Sequence, residues 1–160
     1  MKKTIYVVAN LLIILFFSSC SLVTGKGDAE NIAEALLNER IKNGGFGSDE
    51  YYSEIFWKST DTGKWEMIKN LVDNAVGDLK SYKLKTWNVK TQAKTNELSG
   101  TIVNLVYDTV YVKGNGTETI TLYRPLMGEK FSIIGHHFNS PEIQKLIDKG
   151  IEHAASRSSV

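Results

Sequence analysis

His136 and His137 stand side by side in "FSIIGHHFN", and Asp108 sits inside "LVYDTVYV" between Tyr107 and Tyr111. These are the residue types from which a catalytic or metal site could be built. An imidazole titrates near neutral pH and can act as acid or base. A carboxylate facing an apolar pocket has its pKa raised and can take a proton. Neighbouring strand residues point to opposite faces, however, so His136 and His137 do not readily share one ion. The third histidine, His153, lies in the C-terminal tail. No metal centre is expected, and no cofactor. Alternation gives Asp108 the face of Ile102, Val106, Val110 and Val112, and gives the tyrosines the face of Val103 and Leu105. An edge or solvent position is therefore expected for Asp108. Asp108, His136 and His137 remain weak pocket candidates. No nucleophile and base stand at a recognisable spacing, so no catalytic residue is assigned.

Cys20 is the chain's one cysteine. It follows two lysines, an apolar run from Ile5 to Phe17 and two serines, which are the parts of an export signal. The run is shorter than the roughly 20 residues that span a bilayer as a helix. "FSSC" resembles the lipobox of bacterial lipoproteins, with Phe17 where an aliphatic residue is usual. The resemblance implies cleavage before Cys20 and attachment of two or three acyl chains, palmitate among them, to that residue. Lipidation also disposes of an otherwise unpaired thiol in an exported protein. A bacterial cell-envelope location follows, with the membrane reached through lipid on Cys20. Ser21 stands where inner-membrane lipoproteins of many Gram-negative bacteria carry aspartate, so the outer membrane is favoured in such a host.

Residues 1–19 carry two lysines and no acid, so their removal turns the formal charge from +1 to −1. Charges of both signs are scattered, and no basic block suggests nucleic acid. Four segments are expected: a signal peptide at 1–19, a lipidated tether at 20–28, one domain at 29–155 and a disordered tail at 156–160. The domain is long enough to bury a core without disulfides.

Within the domain, Asp28 is expected to cap a helix from Ala29 to about Lys42. Its inner face would carry Ala29, Ile32, Ala33, Leu36, Leu37 and Ile41, and Asn43-Gly44-Gly45 would end it. A short helix opened by Ser48 would bury Tyr52, Ile55 and Phe56. A third, from Thr62 through Val76, would turn Trp65, Ile68, Leu71, Val72 and Ala75 inward. After Gly77 the apolar period changes from about 3.6 to 2, which predicts antiparallel strands separated by the "KGNG" and "LMGEK" turns. Ser140-Pro141-Glu142 opens a final helix, with Ile143, Leu146, Ile147 and Ile151 on one side.

Helices followed by strands predict an α+β fold: N-terminal helices packed on a strongly bent antiparallel sheet of about four strands, plus a short C-terminal helix. This order, with the closing hairpin "ETITLYRPLMGEKFSIIGHHF", resembles the cystatin-like or nuclear-transport-factor-two-like cone fold over most of residues 29–139. The resemblance implies a pocket between helices and concave sheet. Relatives include isomerases, dehydratases and proteins without activity, so fold alone does not choose a function. Tyr51, Tyr52, Phe56, Trp57 and Trp65 concentrate aromatic rings between the first and third helices. Tyr51 and Trp57 are the candidates for a partner surface, where such side chains are favoured. The function expected is non-enzymatic recognition of an envelope protein, by an assembly factor or by an immunity or exclusion lipoprotein. The alternative is small-molecule binding, or a hydrolase or isomerase working in the cone pocket.

Overall fold

The computed structural model describes residues 25–93, 99–128 and 130–157. The signal peptide and Cys20 lie outside the described residues, as do positions 158–160 of the expected tail. A helix, α1, occupies residues 25–43. It reaches back beyond Asp28, which is therefore not its cap. Asp28 instead pairs with Arg124 at 3.3 Å, and residues 25–28 of the expected tether are helical. The helix stops where foreseen. Gly44 adopts φ 73° and donates its N–H to the carbonyl of Arg40 at 2.9 Å.

The expected second helix is divided in two. Ser48 caps only a 3-10 turn, Asp49–Tyr51, and Ser53 caps α2, Glu54–Ser59, by accepting the Phe56 N–H at 3.2 Å. Between them Tyr52 is extended and bridges to Ile133, whose carbonyl accepts the Ser53 N–H at 2.9 Å. Asp61 caps α3, Thr62–Val76, with Gly77 after its end.

Four strands follow: β1, Leu79–Gln92; β2, Gly100–Tyr111; β3, Asn115–Pro125; and β4, Ser132–Asn139. They pair antiparallel in the order β1-β2-β3-β4. Leu105 lies opposite Ile120 and Val103 opposite Leu122, which puts the apolar residues of the central strands on one face. Register shifts at Leu84/Thr86 and Thr121/Leu122 bend the sheet around that face. The last helix, α4, spans Pro141–Arg157 and packs beside α3. It passes the expected domain end at 155 by two residues. The protein is thus an α+β fold of the predicted architecture.

The concave face holds the core. Val103, Leu105, Tyr107, Ile120, Leu122 and Ile133 meet Leu36, Leu37, Phe56, Trp65, Val72 and Val76 from the helices, and all are buried. Ile41 and Ile68, expected inside, stand at the margins of their helical faces and are partly exposed. One close approach gives a prediction. A Cβ on Gly100 would sit 2.2 Å from the Arg124 carbonyl oxygen across the β2–β3 pair, and that neighbour is backbone. Gly100→Ala is therefore expected to cost about 1–3 kcal/mol, as overpacking does. A urea unfolding midpoint unchanged from wild type would contradict this.

Candidate functional site

The interior between the helices and the sheet carries a charge cluster assembled from five elements. Arg40 comes from the last turn of α1, and Tyr52 from the stretch before α2. Tyr111 ends β2, Glu118 lies early in β3, and His136 in β4. Each is placed by its element's own period. Arg40 follows Leu36 by four residues and Leu37 by three, so it shares their inward face. Glu118 alternates with Ile120 and Leu122 and shares their side of the sheet. The Glu118 and His136 side chains are both 0% exposed.

Three donors converge on the Glu118 carboxylate. The Tyr111 hydroxyl donates to Oε1 at 2.5 Å, and Arg40 Nη1 donates to Oε2 at 2.6 Å. His136 Nε2 lies 2.6 Å from the same Oε2, and its Nδ1 lies 2.9 Å from the Tyr52 hydroxyl. A carboxylate only accepts, so His136 presents Nε2–H to Glu118 and accepts the Tyr52 O–H at Nδ1. The remaining Arg40 contacts are an Nε–H to the Gly45 carbonyl at 3.2 Å and two rings. Its guanidinium carbon lies 5.0 Å from the centroid of Phe46 and 5.6 Å from that of Phe138.

The electrostatics are those of a balanced pair with a neutral imidazole. Burial alone would push the Glu118 pKa up, but Arg40, with His136 and Tyr111, holds it down at about 2. Burial would lower the Arg40 pKa, but Glu118 keeps it above its ordinary value. For His136, burial outweighs the attraction of Glu118 and lowers the pKa. A protonated His136 would leave the cluster with an uncompensated positive charge in a dry interior. Burial also raises the pKa values of Tyr52 and Tyr111, so both stay protonated.

Of the sequence candidates, only His136 enters this cluster. His137 is exposed on the opposite side of β4, as alternation requires. Asp108 is also on the outer face, half exposed, with its carboxylate 2.9 Å from Lys85 Nζ. Neither therefore belongs to an interior pocket. Tyr51 and Trp57 are half-buried. The Trp57 ring packs edge-on at 4.9 Å from Phe56 and 5.9 Å from Tyr52, so it extends the core outward rather than standing free. Glu118, Arg40 and Tyr111 were missed by the sequence reading. Glu118 was nevertheless legible as the charged member of an inward alternation in "TETITLYR".

On the outside, Met67 is 71% exposed and Ile68 38% on α3. With Lys64, Asn70 and Leu71 they line a groove of about 620 Å³. Other concavities lie over the β2–β3 turn and beside Phe46. Among the described residues no group of three His, Cys, Asp or Glu side chains could hold a metal ion. Comparisons with protein-family models, with curated proteins and with solved structures gave no match.

Proposed function

We propose that this chain is a lipid-anchored cell-envelope protein of cystatin-like or nuclear-transport-factor-two-like fold that works by binding another envelope protein. The anchor is Cys20, on the strength of its lipobox-like setting. The observation that carries binding over turnover is the state of the interior acid–base groups. Glu118 and His136 are sealed, and each of their polar atoms already has a partner within the protein. A general base must reach the proton that it abstracts. Here the base-forming groups hold the helices to the sheet, while Met67 and Ile68 of α3 face outward. The partner is either a component that the protein helps to assemble or an incoming toxin or phage protein that it blocks. A toxin or secretion gene beside its own gene would select the second role.

The anchor is tested with the full-length protein and Cys20→Ser expressed in a bacterial host. The wild type is expected in the membrane fraction, with an intact mass that includes the acyl chains, and the variant in the soluble fraction. A wild type with a bare cysteine sinks the anchor. The binding surface is tested by photocrosslinking from position 64, on the same exposed face of α3, in intact envelopes, alongside Met67→Arg and Trp57→Ala. Met67→Arg is expected to abolish a discrete crosslinked product while leaving the melting temperature unchanged. Trp57→Ala is expected to lower the melting temperature, since its ring is packed on Phe56. Crosslinks that are absent from the wild type would remove α3 as the partner surface.

A further inference from the structure

The turn between β3 and β4 carries the most exposed apolar side chain of the described residues. Met127 is 99% exposed and its neighbour Leu126 56%. The turn is built, not loose. The Leu126 N–H donates to the Ser99 carbonyl at 3.2 Å, and the Gly128 N–H to the Pro125 carbonyl at 2.9 Å. These bonds hold the backbone while leaving Met127 in water and Leu126 more than half exposed.

Gly25 of α1 lies at the same end of the domain. A Cβ on Gly25 would be 3.7 Å from an Arg124 guanidinium nitrogen, and Asp28 pairs with that side chain. Arg124 precedes Leu126 by two residues. Cys20 precedes Gly25 by five residues, which span at most about 18 Å even fully extended. The lipidated residue is therefore tethered within about 18 Å of Gly25, which touches the side chain of Arg124 at the base of the exposed turn. The Lys113–Gly114 turn lies at the other end of β3, about 30 Å away for a strand of this length.

We infer that the Leu126–Met127 turn inserts into the surface of the bilayer beside the lipid on Cys20, and so sets the orientation of the domain. The inference rests on the anchor reading given above. Two apolar side chains would hold a free protein at a membrane only weakly. A short tether changes this, because contact becomes intramolecular and its effective concentration is high. The occupant is a lipid surface rather than a protein because the tether brings the tip to the membrane. In sequence the turn is followed by Glu129 and Lys130, whose charges cancel. The contact is therefore apolar and indifferent to salt. Its consequence is geometric: β3 stands away from the bilayer, and the Lys113 turn is held farthest from it.

The test uses the full-length protein, lipidated in its host and reconstituted in vesicles of phosphatidylcholine and phosphatidylethanolamine. Met127→Cys and, separately, Lys113→Cys are labelled with an environment-sensitive fluorophore; acylation of Cys20 leaves the new cysteine as the reactive thiol. The label at 127 is expected to shift to the blue and to be quenched several-fold more than that at 113 by spin-labelled lipids, equally at low and high salt. A lipidated protein whose label at 127 stays in water, or is quenched no more than that at 113, overturns the inference alone. A bare Cys20 in the intact mass, with a second labelled thiol, overturns the anchor and the inference with it. Leu126→Asp/Met127→Asp provides the converse. The lipidated variant is expected to stay with membranes and to lose protection of the α1 start from added protease; unaltered cleavage would again overturn the inference.

Discussion

Arg40→Met is expected to destabilise the domain by about 3–5 kcal/mol, the cost typical of stranding one member of a buried ion pair. Glu118 would then keep its charge in a fully buried position with only the Tyr111 and His136 donors left. For a domain of this size such a loss lowers the melting temperature by about 10–20 °C. Glu118→Gln is expected to cost a similar amount, because Arg40 is 2% exposed and has no other carboxylate within reach among the described residues. The double variant Arg40→Met/Glu118→Gln removes both charges and leaves an amide that still accepts from Tyr111. It is expected to be more stable than the sum of the single losses predicts, since the two residues act as one unit. Urea unfolding of the four proteins measures this coupling. Strictly additive losses would mean that the ion pair is incidental to packing.

Acid is expected to unfold the protein through the same cluster. The folded Glu118 holds its proton off down to about pH 2, whereas the unfolded side chain takes one near 4.5. Its contribution is thus fully present above pH 4.5 and is lost as pH falls towards 2, amounting to about 3 kcal/mol. His136 acts in the same direction but earlier. Its folded pKa is lowered from 6.5, so the unfolded chain binds that proton first and stability begins to decline below pH 6.5. Total stabilities are only about 5–15 kcal/mol, so these losses are a large part of the whole. Denaturant unfolding at pH 7, 5.5, 4 and 3 should show a stepwise decline. His136→Gln should flatten its upper portion, and Glu118→Gln the portion below pH 4.5. A wild-type stability constant from pH 7 to 3 would remove the cluster from the protein's acid response.

The elements and their order were determined by the sequence itself, because each depends on neighbours along the chain. The change of apolar period at Gly77 marked the passage from helices to strands. Asp61 and Ser140 capped helices that begin where hydroxyl or carboxylate side chains precede a periodic run. Gly44 and Gly77 closed helices because their positive φ is free of the Cβ penalty. The split at Tyr52 was not local. That residue is drawn into an extended conformation by its bridge to Ile133, some eighty positions away. Asp28 likewise has a distant partner: from inside α1 it pairs with Arg124 of β3 at 3.3 Å.

The candidate site divides in the same way. Alternation was enough to turn Asp108 away from the interior and to put His136 and His137 on opposite faces, since strand geometry is local. Which histidine turned inward was decided by the register shift in β4, where Thr121 pairs with Gly135 but Leu122 with Ile133. The partners of His136 were decided by the tertiary structure alone. Arg40, Tyr52, Tyr111 and Glu118 meet because a helix end, an extended connection and three bent strands close on one point. Read singly, Arg40 and Glu118 carry the commonest surface side chains. Their burial is tolerable only because the fold supplies opposite charge and hydrogen bonds at once, and that compensation exists nowhere along the chain until the chain is folded.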